Sequence, residues 1–176
     1  MGLKDEMKNS FPEEIDFPDE LSALCDWAEK SNKKLRTNIS AGFVLKVNDD
    51  AIKYWFGSDS AVKNLGVFAH DYDGSLYAIW KDDNGTQRVV FLGSEGEPLW
   101  ILSDNFVDFL RLLAIGYDEI GFSDLTKPPK ENCADKDFKN WVQATFKVDI
   151  PQTGDSIVNT SDSNFETWVK KKLNEN

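Results

Sequence analysis

The chain has 176 residues, of which 40% are hydrophobic and 12% aromatic, and its formal net charge is -11. This length predicts a single domain whose core needs neither disulfides nor metal, and the apolar content excludes a disordered chain. The negative charge disfavours nucleic acid, whose binding depends on Lys and Arg neutralising phosphates, and it attracts basic protein partners.

The sequence contains no targeting or membrane signal. Residues 1–6 lack the apolar stretch of a signal peptide and the Ser or Thr at position 6 that myristoylation requires. The longest apolar stretches are interrupted well short of a bilayer span. Without a secretory signal, Cys25 and Cys133 are expected to be reduced thiols. We therefore expect a cytoplasmic protein with no membrane role.

The N-terminal region predicts an acidic arm followed by a helix. Residues 1–30 hold nine acidic residues against three lysines. Two Phe-Pro pairs favour extended backbone, so the arm at 1–18 is expected to be irregular. Pro18 suits the first turn of a helix, and apolar residues then recur at helical spacing to about Lys34.

Strand patterns separated by tight turns dominate the middle of the chain. The Asn-Gly pair at 84–85 is typical of a two-residue hairpin turn, and several such turns in succession predict an antiparallel meander. A short helix at 51–56 is expected to precede the meander. The predicted strands are a first one at 39–47 and four more at 65–70, 75–81, 87–92 and 99–102.

Both faces of this sheet are predicted to be buried. Leu76, Ala78 and Trp80 alternate with Tyr77 and Ile79, so each face carries large apolar side chains. Helices are therefore expected on both faces.

A long amphipathic helix follows the last strand. Ser103 or Asp104 is expected to cap it, and Gly116 to end it. Its apolar stripe consists of Phe106, Phe109, Leu110 and Leu113.

Residues 127–176 are predicted to be a helical extension packed on the core, because Trp141 and Trp168 need burial. Ser163 and Glu166 have the spacing of a capping box at the start of the last helix. The fold class is thus α+β: an antiparallel meander of four to five strands packed by helices, with a helical C-terminal extension.

No catalytic or metal-binding motif is present in the sequence. His70 beside Asp71 is an acid–base candidate, but this pattern is more typical of a strand end that faces solvent. The run from Asp71 to Gly74 is similar to the start of a calcium loop, yet its sixth and twelfth positions lack the required Gly and Glu. One His and two Cys have no zinc-ligand spacing. We expect no enzyme activity, no cofactor and no bound metal. A carboxylate-based hydrolase stays a distant alternative, since 31 acidic residues guarantee some close pairs.

Three segments in a fixed order resemble the SUKH superfamily. They are GSLYAIW at 74–80, VVFLGSEGE at 89–97 and DNFVDFLRLLA at 104–114. This superfamily includes the yeast regulator of cell-wall assembly and glucan synthesis and many bacterial immunity proteins. The resemblance covers residues 60–116 well and assigns residues 19–126 to a SUKH-like core.

The resemblance implies a protein that binds another protein and has no catalytic centre. The leading expectation is an immunity protein that binds and neutralises a basic bacterial toxin domain of the nuclease type. The alternative is a scaffold like the cell-wall regulator, which recruits signalling proteins.

Meander geometry supplies the candidate partner-binding site. Alternate turns of a meander lie at the same end of the sheet, so the turns at 71–74 and 93–97 are expected to be neighbours. The predicted partner-binding residues are Asp71, Tyr72, Asp73, Glu95 and Glu97.

Overall fold

The computed structural model describes residues 1–31, 39–40 and 42–175 of the chain. Within these ranges the helices are α1 (Leu3–Ser10), α2 (Asp19–Lys30), α3 (Ala51–Phe56), α4 (Phe106–Ile115), α5 (Lys136–Phe146) and α6 (Asn164–Asn174). The strands are β1 (Val44–Leu45), β2 (Leu65–His70), β3 (Leu76–Lys81), β4 (Gln87–Leu92) and β5 (Leu99–Ser103). Short 3-10 turns occur at Val62–Asn64, Ile120–Phe122 and Gly154–Ser156. The α+β class predicted from the sequence is confirmed.

The five strands form one antiparallel sheet in chain order, which is the predicted meander. The predicted bounds of the last four strands agree with β2 to β5 to within one residue. The first strand, predicted over 39–47, is confirmed only at Val44–Leu45, and Ala41 lies outside the described residues. Its beginning does not join the sheet, because Ser40 forms an isolated bridge with Ala134 and the Asp135 N–H donates to the Ile39 carbonyl at 2.9 Å.

Each face of the sheet carries its own hydrophobic core, as the alternation in β3 predicts. Tyr77 and Ile79 belong to the core that α1, α2, α4 and α5 cover. Leu76, Ala78 and Trp80 belong to the core that α3 and α6 cover. The sheet is therefore the middle layer of the molecule, and its strand ends and turns are left at the surface.

We predicted an irregular N-terminal arm from the sequence, and this prediction is wrong for residues 3–10, which form α1. Leu3 and Met7 lie one helical turn apart and are buried in the first core. The Leu3 N–H donates to Glu29 Oε1 of α2 at 2.8 Å, which holds the start of α1 on its neighbour. So short and polar a segment has little helical stability of its own, and tertiary packing supplies it.

α2 ends at Lys30 rather than at the predicted Lys34, and residues 32–34 lie outside the described ranges. α4 begins one or two residues later than predicted, since its cap is Asn105 and not Ser103 or Asp104. Asn105 Oδ1 accepts from the Asp108 N–H at 2.8 Å. Gly116 ends α4 with φ at 89°, in the left-handed region that favours glycine.

The C-terminal helices pack on opposite faces of the sheet. Phe138 and Val142 of α5 are buried in the first core, whereas Phe165 and Trp168 of α6 are buried in the second. The chain between them must therefore pass from one face of the sheet to the other. Among the described residues, no helix has both the length and the apolarity that crossing a membrane requires.

The capping box predicted for α6 does not form. Ser163 occupies the cap position, but its side chain makes no capping hydrogen bond. Glu166 pairs with Lys170 at 2.6 Å instead of reaching back, and Asp162 Oδ1 accepts from the Asn164 N–H at 3.0 Å. Asp162 thus supplies the side-chain acceptor that the sequence pattern assigned to Ser163.

Candidate functional site

The turns at 71–74 and 93–96 lie side by side at one end of the sheet, as the meander predicts. Each is closed by a 3.0 Å backbone hydrogen bond across its ends. Ser75 Oγ accepts from the Ser94 N–H at 3.0 Å and joins the two turns directly. The turn at 82–85 connects the opposite ends of β3 and β4.

Asp71 differs from the other predicted binding residues because its side chain is buried. Only 6% of its surface is exposed, and its Oδ2 accepts a hydrogen bond from the Tyr77 hydroxyl at 2.9 Å. Gly42 approaches Asp71 Oδ1 so closely that a side chain at position 42 would collide with it. Asp71 therefore anchors the turn from inside and is not part of the exposed surface.

The buried environment of Asp71 changes its acid–base behaviour. Desolvation raises its pKa from 3.8 to about 6, and the nearby charges of Asp73 and Glu119 act in the same direction. The Tyr77 hydrogen bond opposes this rise because it stabilises the carboxylate. Burial also raises the pKa of Tyr77, whose ionisation beside Asp71 would place two negative charges together.

The remaining four predicted residues are exposed at this end of the sheet, and we call Tyr72, Asp73, Glu95 and Glu97 the acidic rim. Tyr72 is 72% exposed, which is unusual for so large a side chain. Asp73 is held in place because its Oδ1 accepts from the Ser75 N–H and its Oδ2 from the Ser75 hydroxyl, both at 2.9 Å.

One hydrogen bond from α3 holds the second turn of the acidic rim, and the charge of one rim residue acts on a lysine of α6. The Trp55 Nε1–H of α3 donates to the Gly93 carbonyl at 3.1 Å. On α6, the pKa of Lys170 is raised, first by its hydrogen bond to Glu166 and more weakly by the charge of Glu97. The rim is therefore supported by α3 and faces one cation of α6.

Sequence reasoning missed three residues of this region. Ser75 is 1% exposed and connects both turns, yet a serine at a strand start carries no signal of such a role. Glu119 acts on Asp71 from a distant part of the chain. Phe122 is 67% exposed, and its neighbour Gly121 packs against Pro98. Only the tertiary structure brings Glu119 and Phe122 to the rim and joins Ser75 to the second turn.

Among the described residues, His70 and the Asp71 carboxylate do not form a hydrogen-bonded acid–base pair. Its Nδ1 lies 2.9 Å from the Asp71 backbone carbonyl, and the Asp71 carboxylate is bonded to Tyr77 instead. Among residues 1–31, 39–40 and 42–175, no three His, Cys, Asp or Glu side chains are grouped so that they could hold a metal ion.

Comparisons of the chain with protein-family models, with curated proteins and with solved structures found no match. The SUKH resemblance therefore stays a prediction from the residues that carry it, and the functional argument depends on the geometry of the acidic rim.

Proposed function

We propose that this protein is a non-catalytic binding protein of the immunity type, which neutralises a basic, nuclease-type toxin domain by covering its active surface. It would act in the cytoplasm of the cell that makes it. The observation that carries the proposal is the acidic rim, where the exposed Tyr72 shares one end of the sheet with three exposed carboxylates. The SUKH resemblance and the net charge of -11 support the same conclusion.

The rim has the composition expected of a protein-binding surface. Tyrosine is enriched at binding hot spots because it offers a large contact area with few rotatable bonds. A nuclease is basic where it grips phosphate, so Asp73, Glu95 and Glu97 would take the place of the nucleic acid's charges. Charge complementarity of this kind mainly raises the association rate, while the buried contacts of Tyr72 set the dissociation rate.

The two turns that carry the rim are also hydrogen-bonded before any partner arrives. Ser75 holds Asp73 and Ser94, and Trp55 holds Gly93, so both turns are hydrogen-bonded to the body of the protein. A preformed surface loses little conformational entropy on binding, which favours tight association.

Surface plasmon resonance against the toxin domain encoded by the neighbouring reading frame tests the proposal. Asp73, Glu95 and Glu97 are reversed together to Lys, and binding is measured at about 50 mM and about 300 mM salt. We expect slower association at low salt and a much smaller difference at high salt. Tyr72→Ala should instead raise the dissociation rate.

The matched control reverses Glu13, Glu14 and Asp16, which are three exposed acids beside the opposite end of the sheet. This variant has the same net charge as the rim variant and should associate nearly as fast as the wild type. If both variants associated equally slowly, the rim would contribute only through the net charge of the whole protein and would not be the docking surface. A neighbouring protein that is no toxin but binds at the rim would favour the scaffold alternative.

A further inference from the structure

Within the described ranges, the outer edge of β5 is unpaired, and it is accessible at Leu99 and Trp100, whereas Ile101, Leu102 and Ser103 are buried. β5 is the last strand of the sheet and pairs on one side only, with β4. Among the described residues, no backbone hydrogen bond joins Leu99–Ser103 to a segment other than β4. An open edge of this kind is a template for one more strand.

The register shows which backbone groups of β5 face outward. The Gly93 N–H donates to the Pro98 carbonyl at 2.9 Å, so Gly93 and Pro98 form a hydrogen-bonded pair. Such pairs alternate along an antiparallel ladder, and Phe91 and Trp100 are therefore the next one. Leu99, between them, directs its N–H and carbonyl away from β4.

A groove of about 490 Å³ runs along this part of the edge, and we call it the edge groove. Pro98, Leu99 and Trp100 line it together with Phe122, Glu166 and the loop at 160–163. Its two sides differ in chemistry. Trp100 and the Gly121–Phe122 turn lie on the side of the first core, whereas Leu99 and α6 lie on the side of the second.

The charge of the edge groove is negative. Glu97, Asp162 and Glu166 line it, and no Lys or Arg does. Lys170 pairs with Glu166 from the next turn of α6 and offsets its charge, so the excess negative charge of the groove comes from Glu97 and Asp162. Asp162 and Glu166 lie at the start of α6, on one side of the sheet plane, whereas the exposed ring of Phe122 lies on the other side.

We propose that the edge groove binds an extended basic segment of the partner protein, in which apolar residues alternate with Lys or Arg, as a sixth strand on β5. Successive side chains of a strand point to opposite faces. One set would pack on Trp100 and Phe122, and the other would meet Asp162 and Glu166. The segment's backbone would pair with the outward N–H and carbonyl of Leu99. The proposal rests on the proposed function only in that the partner is a protein with a basic surface.

The first test uses a peptide and needs no toxin. The probe is a fluorescein-labelled heptapeptide of alternating Lys and Val that is blocked at both ends. The full chain is added to it up to about 1 mM, and binding is followed by fluorescence anisotropy. Two N-methylated versions are compared with it, one methylated at the Lys amides and the other at the Val amides. Only one of these two sets can face β5, so one version should lose binding at least about tenfold and the other should keep it.

Protein variants locate the site. Leu99→Pro removes an outward N–H and spares the ladder to β4, so it should weaken the peptide at least about tenfold. Glu166→Lys should weaken it as well, and Glu13→Lys, at the opposite end of the sheet, should not. Urea unfolding curves check that each variant is folded. If Leu99→Pro does not fold, the two methylated peptides on the wild type still decide the question.

Each other outcome overturns the proposal. No binding of the parent peptide excludes the site, and equal binding of both methylated peptides shows a purely electrostatic contact without strand pairing. Toxin binding that survives Leu99→Pro but is lost on reversal of Asp73 and Glu95 would retain the proposed function and reject the edge groove. Toxin binding that survives both Leu99→Pro and the reversal of Asp73 and Glu95 would reject the acidic rim and the edge groove together.

Discussion

Ser75 Oγ accepts a hydrogen bond from the Ser94 N–H at 3.0 Å and donates one to Asp73 Oδ2 at 2.9 Å. A single buried hydroxyl thus couples two turns that are 19 residues apart in sequence. The relationship makes the acidic rim one unit, and a change at Ser75 should alter both turns together.

Ser75→Ala should lower the free energy of unfolding by about 1–2 kcal/mol, because it leaves the Ser94 N–H without its acceptor. Ser156→Ala is the matched control, since the exposed Ser156 hydroxyl donates to the Thr153 carbonyl at 2.9 Å. Its cost should stay below about 0.5 kcal/mol. Urea unfolding measures both, and equal costs would show that the link between the turns contributes no stability.

Asp71 should make the protein less stable as the pH rises. Its pKa is about 6 in the folded protein and 3.8 ordinarily, so the folded state binds the proton more tightly. The resulting stability is fully present below about pH 4 and is lost as the pH rises through 6. Asp71→Asn keeps an acceptor for the Tyr77 hydroxyl and removes this titration. The free energy of unfolding of Asp71→Asn, measured relative to that of the wild type, should therefore rise by about 1–2 kcal/mol between pH 4 and pH 7.5, allowing for solvent screening.

Tyr77→Phe tests the cause of that pH dependence. The Tyr77 hydroxyl stabilises the Asp71 carboxylate, so its removal should raise the pKa of Asp71 further and move the loss of stability to higher pH. Unfolding measured across pH 4 to 8 follows the midpoint. A midpoint that moves to lower pH, or not at all, would contradict the assignment of Asp71 as the titrating group.

The stripe of α4 should be a core element. Phe109→Ala and Leu110→Ala each empty a site that is 0% exposed, and each should cost about 2–5 kcal/mol in a urea melt. Val107→Ala, at a half-buried position on the same helix, should cost clearly less. If all three were neutral, the amphipathic assignment of α4 would be wrong.

The C-terminal helices should unfold together with the sheet. Phe165 packs at a tilt against Trp80 with ring centroids 5.0 Å apart, and the ring centroids of Phe138 and Trp27 are 5.5 Å apart. Phe165→Ala and Phe138→Ala should each cost about 3–5 kcal/mol. Tryptophan fluorescence and circular dichroism should give coincident transitions in both variants. A separate early transition in either would show that residues 127–176 fold independently.

Local sequence patterns were sufficient for the elements whose signals are short-range. The position of the turn at 82–85, the alternation in β3 and the stripe of α4 each depend on residues a few positions apart, and each was predicted correctly. The two-residue Asn-Gly turn was not, because Gly85 has a positive φ of 85° and Asn84 does not. α1 was not predicted, and β1 was predicted too long, because the structure of both segments depends on distant partners. α1 is held by α2, and the start of the predicted first strand pairs with Ala134 and Asp135 instead of with the sheet.

The predicted binding residues also divide into four that the sequence placed correctly and one, Asp71, that it did not. The pairing of the two turns follows from the meander, so Tyr72, Asp73, Glu95 and Glu97 were brought together by the sequence alone. Whether a turn carboxylate points outward or inward is decided by what lies beneath it. The Tyr77 hydroxyl lies beneath Asp71, and the space that Gly42 leaves lets the carboxylate fit. A sequence pattern contains no information about such a cavity, because chain segments about 30 residues apart create it.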